Sequence, residues 1–161
     1  MSVKTNTKPV AERELTLTRV FDAPRDLVFR MWTDPVHMAQ WWGPRGFTNP
    51  VCEVDARPGG AILIHMRAPD GNTFPMGGEF REVVPVSRIA FTTFVDGPGG
   101  RILEGHNVVT FDEHGGKTKL TLQAKAVGFV DFAVRMLAGM EAGWTQSLEK
   151  LEELVGCGGQ A

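Results

Sequence analysis

The sequence predicts an α+β domain in which a seven-stranded curved antiparallel sheet wraps around a long C-terminal helix, with two short helices between strands 1 and 2. Three observations lead to this prediction. A segment of alternating polar and apolar residues near the N-terminus is followed by two short stretches of helical periodicity. Six further segments rich in β-branched and apolar residues are separated by glycine and proline turns. The chain then ends in a long amphipathic repeat.

The N-terminal part of the chain supplies the first strand and the two short helices. Residues 1–13 are polar and lack periodicity, so we expect a flexible leader ahead of a single domain over residues 14–155. Residues 14–21 alternate between polar and apolar side chains, which predicts a half-buried strand. The helical spacing of apolar residues then predicts one short helix over 24–33 and a second over 36–42.

Six strands are predicted in the middle of the chain. They cover residues 51–57, 60–67, 73–84, 87–95, 103–112 and 117–126. Strands joined by short loops pair antiparallel, because a parallel pair needs a long crossover connection. In the last predicted strand Leu120 and Leu122 alternate with Thr121. One face of the sheet is therefore expected to be apolar and the other polar.

The C-terminal repeat, from Val130 to Val155, predicts a single long helix. At ~1.5 Å per residue it would be about 39 Å long, enough to cross the whole sheet. Gly156 is its expected end, ahead of a flexible tail over residues 156–161. A straight helix cannot contact a strongly curved sheet along its whole length. We therefore expect a gap between the two, and such gaps commonly bind ligands.

Two glycines, Gly139 and Gly143, fall inside the predicted helix. Each costs about 1 kcal/mol relative to alanine in a helix interior, so a compensating role is expected. Two roles remain open. Either the helix backbone approaches a strand closely at these positions, or the missing side chains leave room for a ligand.

Composition argues against several classes of partner. The formal net charge is −2, which gives no electrostatic basis for binding nucleic acid or an anionic membrane. The apolar runs are too short to span a bilayer and no secretory signal pattern is present, so we expect a cytoplasmic protein without membrane insertion. Cys52 and Cys157 are expected to be reduced thiols. The sequence leaves the choice between monomer and homodimer open.

Several segments carry a resemblance to a known family. They are Leu15 to Pro24, Trp32-Thr33-Asp34-Pro35, Trp41-Trp42-Gly43-Pro44, Pro58-Gly59-Gly60, Asp70-Gly71 and Glu82 to Arg88. Together they resemble the AHSA1-like (activator of Hsp90 ATPase homologue 1-like) branch of the START/Bet v 1-like SRPBCC superfamily over roughly residues 14–155. The resemblance implies a helix-grip fold with a hydrophobic cavity. It implies no single activity, since members include ligand carriers, cyclases and lipid-transfer modules.

Ten residues are candidates for binding a ligand in the expected gap. They are Trp41, Trp42, Met66, Met76, Phe80, Asn107, Val109, Met136, Met140 and Trp144. Trp41 and Trp42 are adjacent in a helix, so their side chains diverge by about 100° and one can fill the core while the other lines a pocket. The methionines would give a soft, polarisable lining. Asn107 shares strand parity with Val109, which would place an amide in the apolar interior. Ordinary core packing is the alternative for the apolar candidates, and a position near the strand end that reaches water is the alternative for Asn107.

The sequence contains no recognisable catalytic motif, metal site or cofactor fingerprint. His37, His65, His106 and His114 show no HxH or HExxH spacing, so no metal is expected. The leading hypothesis is therefore non-enzymatic binding of a small hydrophobic or amphipathic ligand, without a cofactor. The second is an enzyme of cyclase or hydrolase type in which His65, His106, Asn107 or Glu79 supplies acid–base help.

A third hypothesis, implied by the resemblance alone, is a module that interacts with the chaperone Hsp90. The eukaryotic Hsp90 activators of this branch carry a further N-terminal domain, for which 161 residues leave no room. We therefore do not expect this chain to stimulate the chaperone.

Overall fold

The computed structural model describes residues 9–160, with side chains as far as Val155. Its elements are β1 Ala11–Phe21, α1 Arg25–Thr33, α2 Pro35–Met38, β2 Thr48–Val54, β3 Ala61–Arg67, β4 Thr73–Val84, β5 Arg88–Gly97, β6 Gly100–His114, β7 Lys117–Gly128, α3 Ala133–Ala138 and α4 Met140–Gln160. The predicted α+β class, the seven antiparallel strands and the two short helices after β1 are confirmed. Residues 1–8 of the expected leader lie outside the described residues. β1 begins at Ala11, three residues earlier than expected.

The sheet has the strand order β1-β7-β6-β5-β4-β3-β2, and all neighbours pair antiparallel. Short turns join each strand to the next from β2 through β7, and β1 completes the sheet by pairing with β7. The register places Leu17 opposite Leu122, and Leu122 opposite Val109. Because alternate residues share a face, this register gathers the apolar side chains of three strands on the inner face of the sheet.

The core lies between that inner face and the helices. Its largest fully buried side chains include Trp32, Trp41, Phe21, Phe80, Phe111, Leu148 and Leu151. Two polar groups taken into the core have backbone partners, whereas the Trp32 indole nitrogen has none in the described residues. The indole nitrogen of Trp41 donates to the Met31 carbonyl oxygen at 2.9 Å, and the Thr118 hydroxyl donates to the Ala23 carbonyl oxygen at 2.7 Å. These bonds tie α1 and the chain after β1 to the rest of the domain.

The C-terminal helix differs from the prediction in its interior and at its C-terminal end. Instead of one helix, α3 ends at Ala138, Gly139 follows with φ −90° and ψ 0°, and α4 begins at Met140. Glycine carries the largest entropic cost of helix formation among residues other than proline, so the interruption falls where the helix is intrinsically weakest. The predicted end at Gly156 is also wrong, because α4 continues to Gln160.

The second short helix also ends earlier than expected. α2 stops at Met38, whereas helical structure was predicted as far as Trp42. The chain continues as a turn in which the backbone N–H of Trp42 donates to the Met38 carbonyl oxygen at 3.0 Å. Gly43 then adopts φ +92°, a conformation that L-residues with a side chain rarely adopt, and redirects the chain toward β2.

Candidate functional site: a cavity between the sheet and the C-terminal helices

A cavity of about 250 Å³ lies between the inner face of the sheet and the α3–α4 pair; we call it the central cavity. Strands β3 to β7 supply one wall, and the other is formed by α3, α4 and the turn after α2. Its apolar side chains include Trp42, Met66, Met76, Leu103, Met140 and Trp144. Met136 on α3 is 37% exposed and also lines it. The cavity therefore opens to solvent beside the junction of the two helices.

Four tryptophans form one aromatic cluster at the inner end of the cavity. Trp42 and Trp144 line the cavity and meet edge to face, with ring centroids 5.4 Å apart. Behind them Trp32 stacks on Trp144 at 6.0 Å and contacts Trp41 at 4.6 Å. Edge-to-face and offset stacked geometries of this kind stabilise buried aromatic side chains beyond their area. The cluster gives the cavity a rigid, polarisable floor.

Three uncharged polar side chains interrupt the apolar lining. Asn107 is 5% exposed and Ser147 is 4% exposed, and both line the cavity together with Thr93. The Ser147 hydroxyl donates to the Gly143 carbonyl oxygen at 3.0 Å, which leaves its oxygen lone pairs available as acceptors. The side chains of Asn107 and Thr93 make no hydrogen bond within the described part of the chain. Both can therefore bond a group that enters the cavity.

Gly139 and Gly143 border open space in the cavity and do not pack closely against a strand. A Cβ atom placed on Gly143 would meet only Pro44, at 3.8 Å. On Gly139 it would meet only carbonyl oxygens of α3, at 3.7 and 3.9 Å. These are ordinary van der Waals distances, and both glycines line the cavity. Of the two roles left open by the sequence, the structure supports space beside the cavity and not close approach of a strand.

Most of the candidate ligand-binding residues lie together around the cavity. Seven of the ten line it: Trp42, Met66, Met76, Asn107, Met136, Met140 and Trp144. Their arrangement places them where a ligand could make contact. That they bind one stays a prediction.

Trp41, Phe80 and Val109 do not line the central cavity, and the sequence prediction is corrected for them. Trp41 is fully buried and is held by its bond to Met31, so it is the core member of the tryptophan pair. Phe80 is 1% exposed and packs against Phe91 at 6.1 Å. Val109 is fully buried beneath the helices. All three face inward as predicted, but they lie beyond the end of the hollow and are covered by other side chains.

The groups proposed for acid–base catalysis do not converge. Glu79 and His106 are exposed, and His65 is half-buried but does not line the cavity. Only Asn107 of the four faces the hollow, and an amide does not titrate. No group of three or more His, Cys, Asp or Glu side chains is placed to hold a metal ion within the described residues.

Two titratable groups near the core have shifted pKa values. Burial raises the pKa of the Cys52 thiol to about 11, which keeps it protonated at neutral pH. Burial lowers the pKa of Lys150, and the positive charge of Arg45 adds to the effect. The Lys150 ammonium donates to the Pro44 carbonyl oxygen at 3.3 Å, beside the cavity rather than in its lining.

Sequence reasoning did not single out Thr93, Gly105 and Ser147, although the signals were present. Gly105 has the same strand parity as Asn107, and Thr93 lies opposite Gly105 in the register. Ser147 follows Trp144 by three residues on α4, so both project from one side of the helix. None stands out by residue type, and only the assembled sheet and helix show that they share one wall.

No helix in the described part of the chain is long and apolar enough to cross a membrane. A search of curated proteins found no match. Among solved structures, the chain is similar to a protein from Chromobacterium violaceum, with 30% identity, a TM-score of 0.75, and coverage of 88% of this chain and 96% of that one. It is also similar to an AHSA1 protein from Silicibacter pomeroyi, with 27% identity, a TM-score of 0.77, and coverage of 90% and 99%.

A protein from Nitrosomonas europaea is similar at 25% identity, with a TM-score of 0.72 and coverage of 92% of this chain and 97% of that one. The family model described as activator of Hsp90 ATPase homolog 1-like protein matches residues 22–156. The match includes the turn after α2, the sheet from β2 to β7, and both C-terminal helices, and it confirms the resemblance drawn from the sequence. The chain belongs to the activator of Hsp90 ATPase homolog 1-like family of the SRPBCC superfamily.

Proposed function

We propose that the protein binds a small, mainly apolar ligand in the central cavity and shields it from water. One observation carries the proposal: an apolar hollow of about 250 Å³ lies between the sheet and the C-terminal helices, beside the packed core. Burial of apolar ligand surface supplies affinity at ~25 cal/mol per Å². The few polar groups in the wall would then orient the ligand. The absence of a convergent acid–base pair among the described residues favours binding over catalysis.

The proposal is tested with an environment-sensitive hydrophobic dye and a panel of apolar compounds. We expect the dye to bind the folded protein, cognate-like compounds to displace it, and the same compounds to raise the melting temperature. The replacement Gly143→Leu should abolish dye binding, because the new side chain fills the cavity from α4. Thr145→Leu, two residues further along α4 and outside the cavity lining, is the matched control and should retain binding. Unchanged dye binding in Gly143→Leu would overturn the proposal.

Interaction with Hsp90 is the second candidate function. The observation that favours it is the family match over residues 22–156, whose description refers to activation of the Hsp90 ATPase. Pull-down with purified Hsp90 and an ATPase assay test it directly. Stimulation that persists in Gly143→Leu would assign the interaction to the outer surface rather than to the cavity.

A further inference from the structure

We infer that the ligand is a neutral molecule of about ten non-hydrogen atoms that carries one hydroxyl or carbonyl oxygen hydrogen-bonded to Asn107. Two fused rings bearing one hydroxyl group illustrate the class. The inference rests on the proposed function, since it concerns the same cavity. It is argued from the polar groups of the wall, from the charges around them, and from the volume that they enclose.

Asn107 places a buried amide group in the wall of the cavity. The residue is 5% exposed and lines the cavity. Its side chain has no hydrogen-bond partner in the described residues. An unpaired buried amide is costly, and this one borders a cavity that opens to solvent, so its partner is water or a ligand group that displaces the water. Because an amide both donates and accepts, the complementary ligand atom is a hydroxyl or carbonyl oxygen.

Gly105 links Asn107 to a second polar group. A Cβ atom on Gly105 would lie 2.5 Å from the Thr93 hydroxyl oxygen and 3.6 Å from the Asn107 amide nitrogen. Thr93 pairs with Gly105, and Asn107 pairs with Phe91, two residues before Thr93 on β5. The Thr93 hydroxyl therefore occupies the space that a side chain on Gly105 would take, and it lies beside the Asn107 amide in the cavity wall. One ligand oxygen placed there can accept from one group and donate to the other.

The charges around the cavity favour a neutral ligand. Lys125 borders the cavity, but its side chain is exposed and its ammonium pairs with Glu12 and Glu14 of β1, at 3.5 and 3.9 Å. Lys150 is outside the lining and donates to a backbone carbonyl. A carboxylate beside Asn107 would therefore lose its hydration without gaining a counter-charge, which is costly in an apolar site.

The volume limits the size of the ligand. An engineered apolar cavity of about 150 Å³ in another protein accommodates benzene, which has six carbon atoms. At the same packing, a hollow of about 250 Å³ holds about ten non-hydrogen atoms. Two fused aromatic rings meet this limit and can lie against Trp42 and Trp144. Only part of a long-chain lipid or a steroid would be enclosed, and the rest would extend through the open end of the cavity.

The inference is tested by calorimetric titration with three compounds that share two fused rings: naphthalene, 2-naphthol and 2-naphthoate. We expect 2-naphthol to bind about three- to tenfold more tightly than naphthalene, which is the usual net contribution of one hydrogen bond. We expect 2-naphthoate to bind more weakly than either. The replacement Asn107→Leu, which removes an unpaired amide at similar volume, should fold normally and lose most of the preference for 2-naphthol, with Thr93 retaining the rest.

A neighbouring pair of threonines supplies a second variant and its control. Thr93 lines the cavity, whereas Thr92 lies on the opposite face and its hydroxyl donates to the Glu79 carbonyl oxygen at 3.4 Å. Thr93→Val should reduce the preference for 2-naphthol, and Thr92→Val should leave it unchanged.

The possible outcomes separate the inference from the proposed function. Equal binding of naphthalene and 2-naphthol by the unaltered protein, or an undiminished preference in Asn107→Leu, would overturn the inference and leave the proposed function standing. Tighter binding of 2-naphthoate would overturn the neutral class and point to Lys125, the cation that borders the cavity. Failure of all three compounds, together with failure of the hydrophobic dye, would overturn both.

Discussion

Arg13 on β1 donates a hydrogen bond to the carbonyl oxygen of Leu137 at 3.0 Å, at the point where α3 ends. The same guanidinium reaches the Ala138 carbonyl oxygen at 3.1 Å and the Glu141 carboxylate at 3.0 Å. The last carbonyl groups of a helix lack partners within the helix, so Arg13 satisfies two of them from the neighbouring strand. It also spans the break at Gly139, because it holds the end of α3 and the start of α4 together.

Removal of this contact should loosen α3 and the mouth of the cavity. We expect Arg13→Ala to lower the free energy of unfolding by about 1 kcal/mol, since it removes partly exposed, charge-assisted bonds. Amide hydrogen exchange should accelerate in α3 more than in the second half of α4. Chemical denaturation and exchange measured by mass spectrometry check both effects.

Arg19 provides the matched control for Arg13. It lies on the same strand and forms one exposed ion pair with Glu152 at 3.0 Å, without bonds to helix carbonyl groups. Such pairs contribute little, so Arg19→Ala should cost less than about 0.5 kcal/mol. Equal effects of the two substitutions on α3 would contradict the role given to Arg13.

The substitution Gly143→Ala should stabilise the protein and weaken ligand binding at once. Alanine is favoured over glycine by about 1 kcal/mol in a helix, and the new methyl group meets only Pro44, at 3.8 Å. The methyl group occupies part of the central cavity, so dye affinity should fall. Thermal unfolding and dye titration measure the two effects.

Gly99→Ala serves as control, since Gly99 lies outside the cavity lining and a Cβ atom there meets nothing within 4 Å. It should leave dye affinity unchanged. A loss of stability in Gly143→Ala would instead show that the helix backbone is closely packed there.

The substitution Gly105→Ala should destabilise the sheet through a clash with Thr93. The new Cβ atom would lie 2.5 Å from the Thr93 hydroxyl oxygen, and overpacking of this kind typically costs about 1–3 kcal/mol. Thr93→Ala removes the clashing atom. In a double-mutant cycle we therefore expect the pair of substitutions to cost less than the sum of the two separate costs. Additive costs would show that the strain arises elsewhere.

The thiol of Cys52 should react slowly in the folded protein. Its pKa is raised from 9.0 to about 11 by burial. At pH 9 the thiolate fraction is then about fifty times smaller than in the unfolded chain. Alkylation in a Cys157→Ser background isolates this residue, and denaturant should accelerate the reaction at pH 9 by at least that factor.

The same shift predicts a pH dependence of stability. Because the folded-state pKa is the higher one, the folded state retains a proton that the unfolded state loses between pH 9 and about 11. The contribution of Cys52 is therefore fully present below pH 9 and is lost as the pH rises through this window. Relative to Cys52→Ala, the unaltered protein should lose stability over that range, as measured by denaturant unfolding at each pH.

Much of the fold could be predicted from residue patterns, because strands and helices impose different spacings on apolar side chains. The six middle strands were located with small boundary errors, and β4 was predicted with the bounds observed, Thr73–Val84. The break in the C-terminal helix could not be found in this way. Met136 and Met140 keep helical spacing across Gly139. The apolar repeat is therefore continuous at a position where the backbone helix is interrupted.

The sequence pattern predicted which face of the sheet the candidate residues lie on, but not which of them line the cavity. Strand parity correctly placed Asn107 and Val109 on the inner face. It could not show that Phe80 and Val109 lie under the packed core, because that depends on where the helices cross the sheet. For Trp41 and Trp42, adjacency predicted side chains that diverge by about 100°, and only the tertiary structure shows that Trp42 borders the cavity.

The clustering of the four tryptophans gives the protein an internal optical probe. The chain contains four tryptophans and no tyrosine, so absorption near 280 nm comes essentially from this one cluster. Trp32 and Trp144 are stacked at 6.0 Å with an interplanar angle of 20°, close enough for their electronic transitions to couple. Near-ultraviolet circular dichroism and indole emission therefore report on the cavity floor itself, and occupancy can be followed without any label.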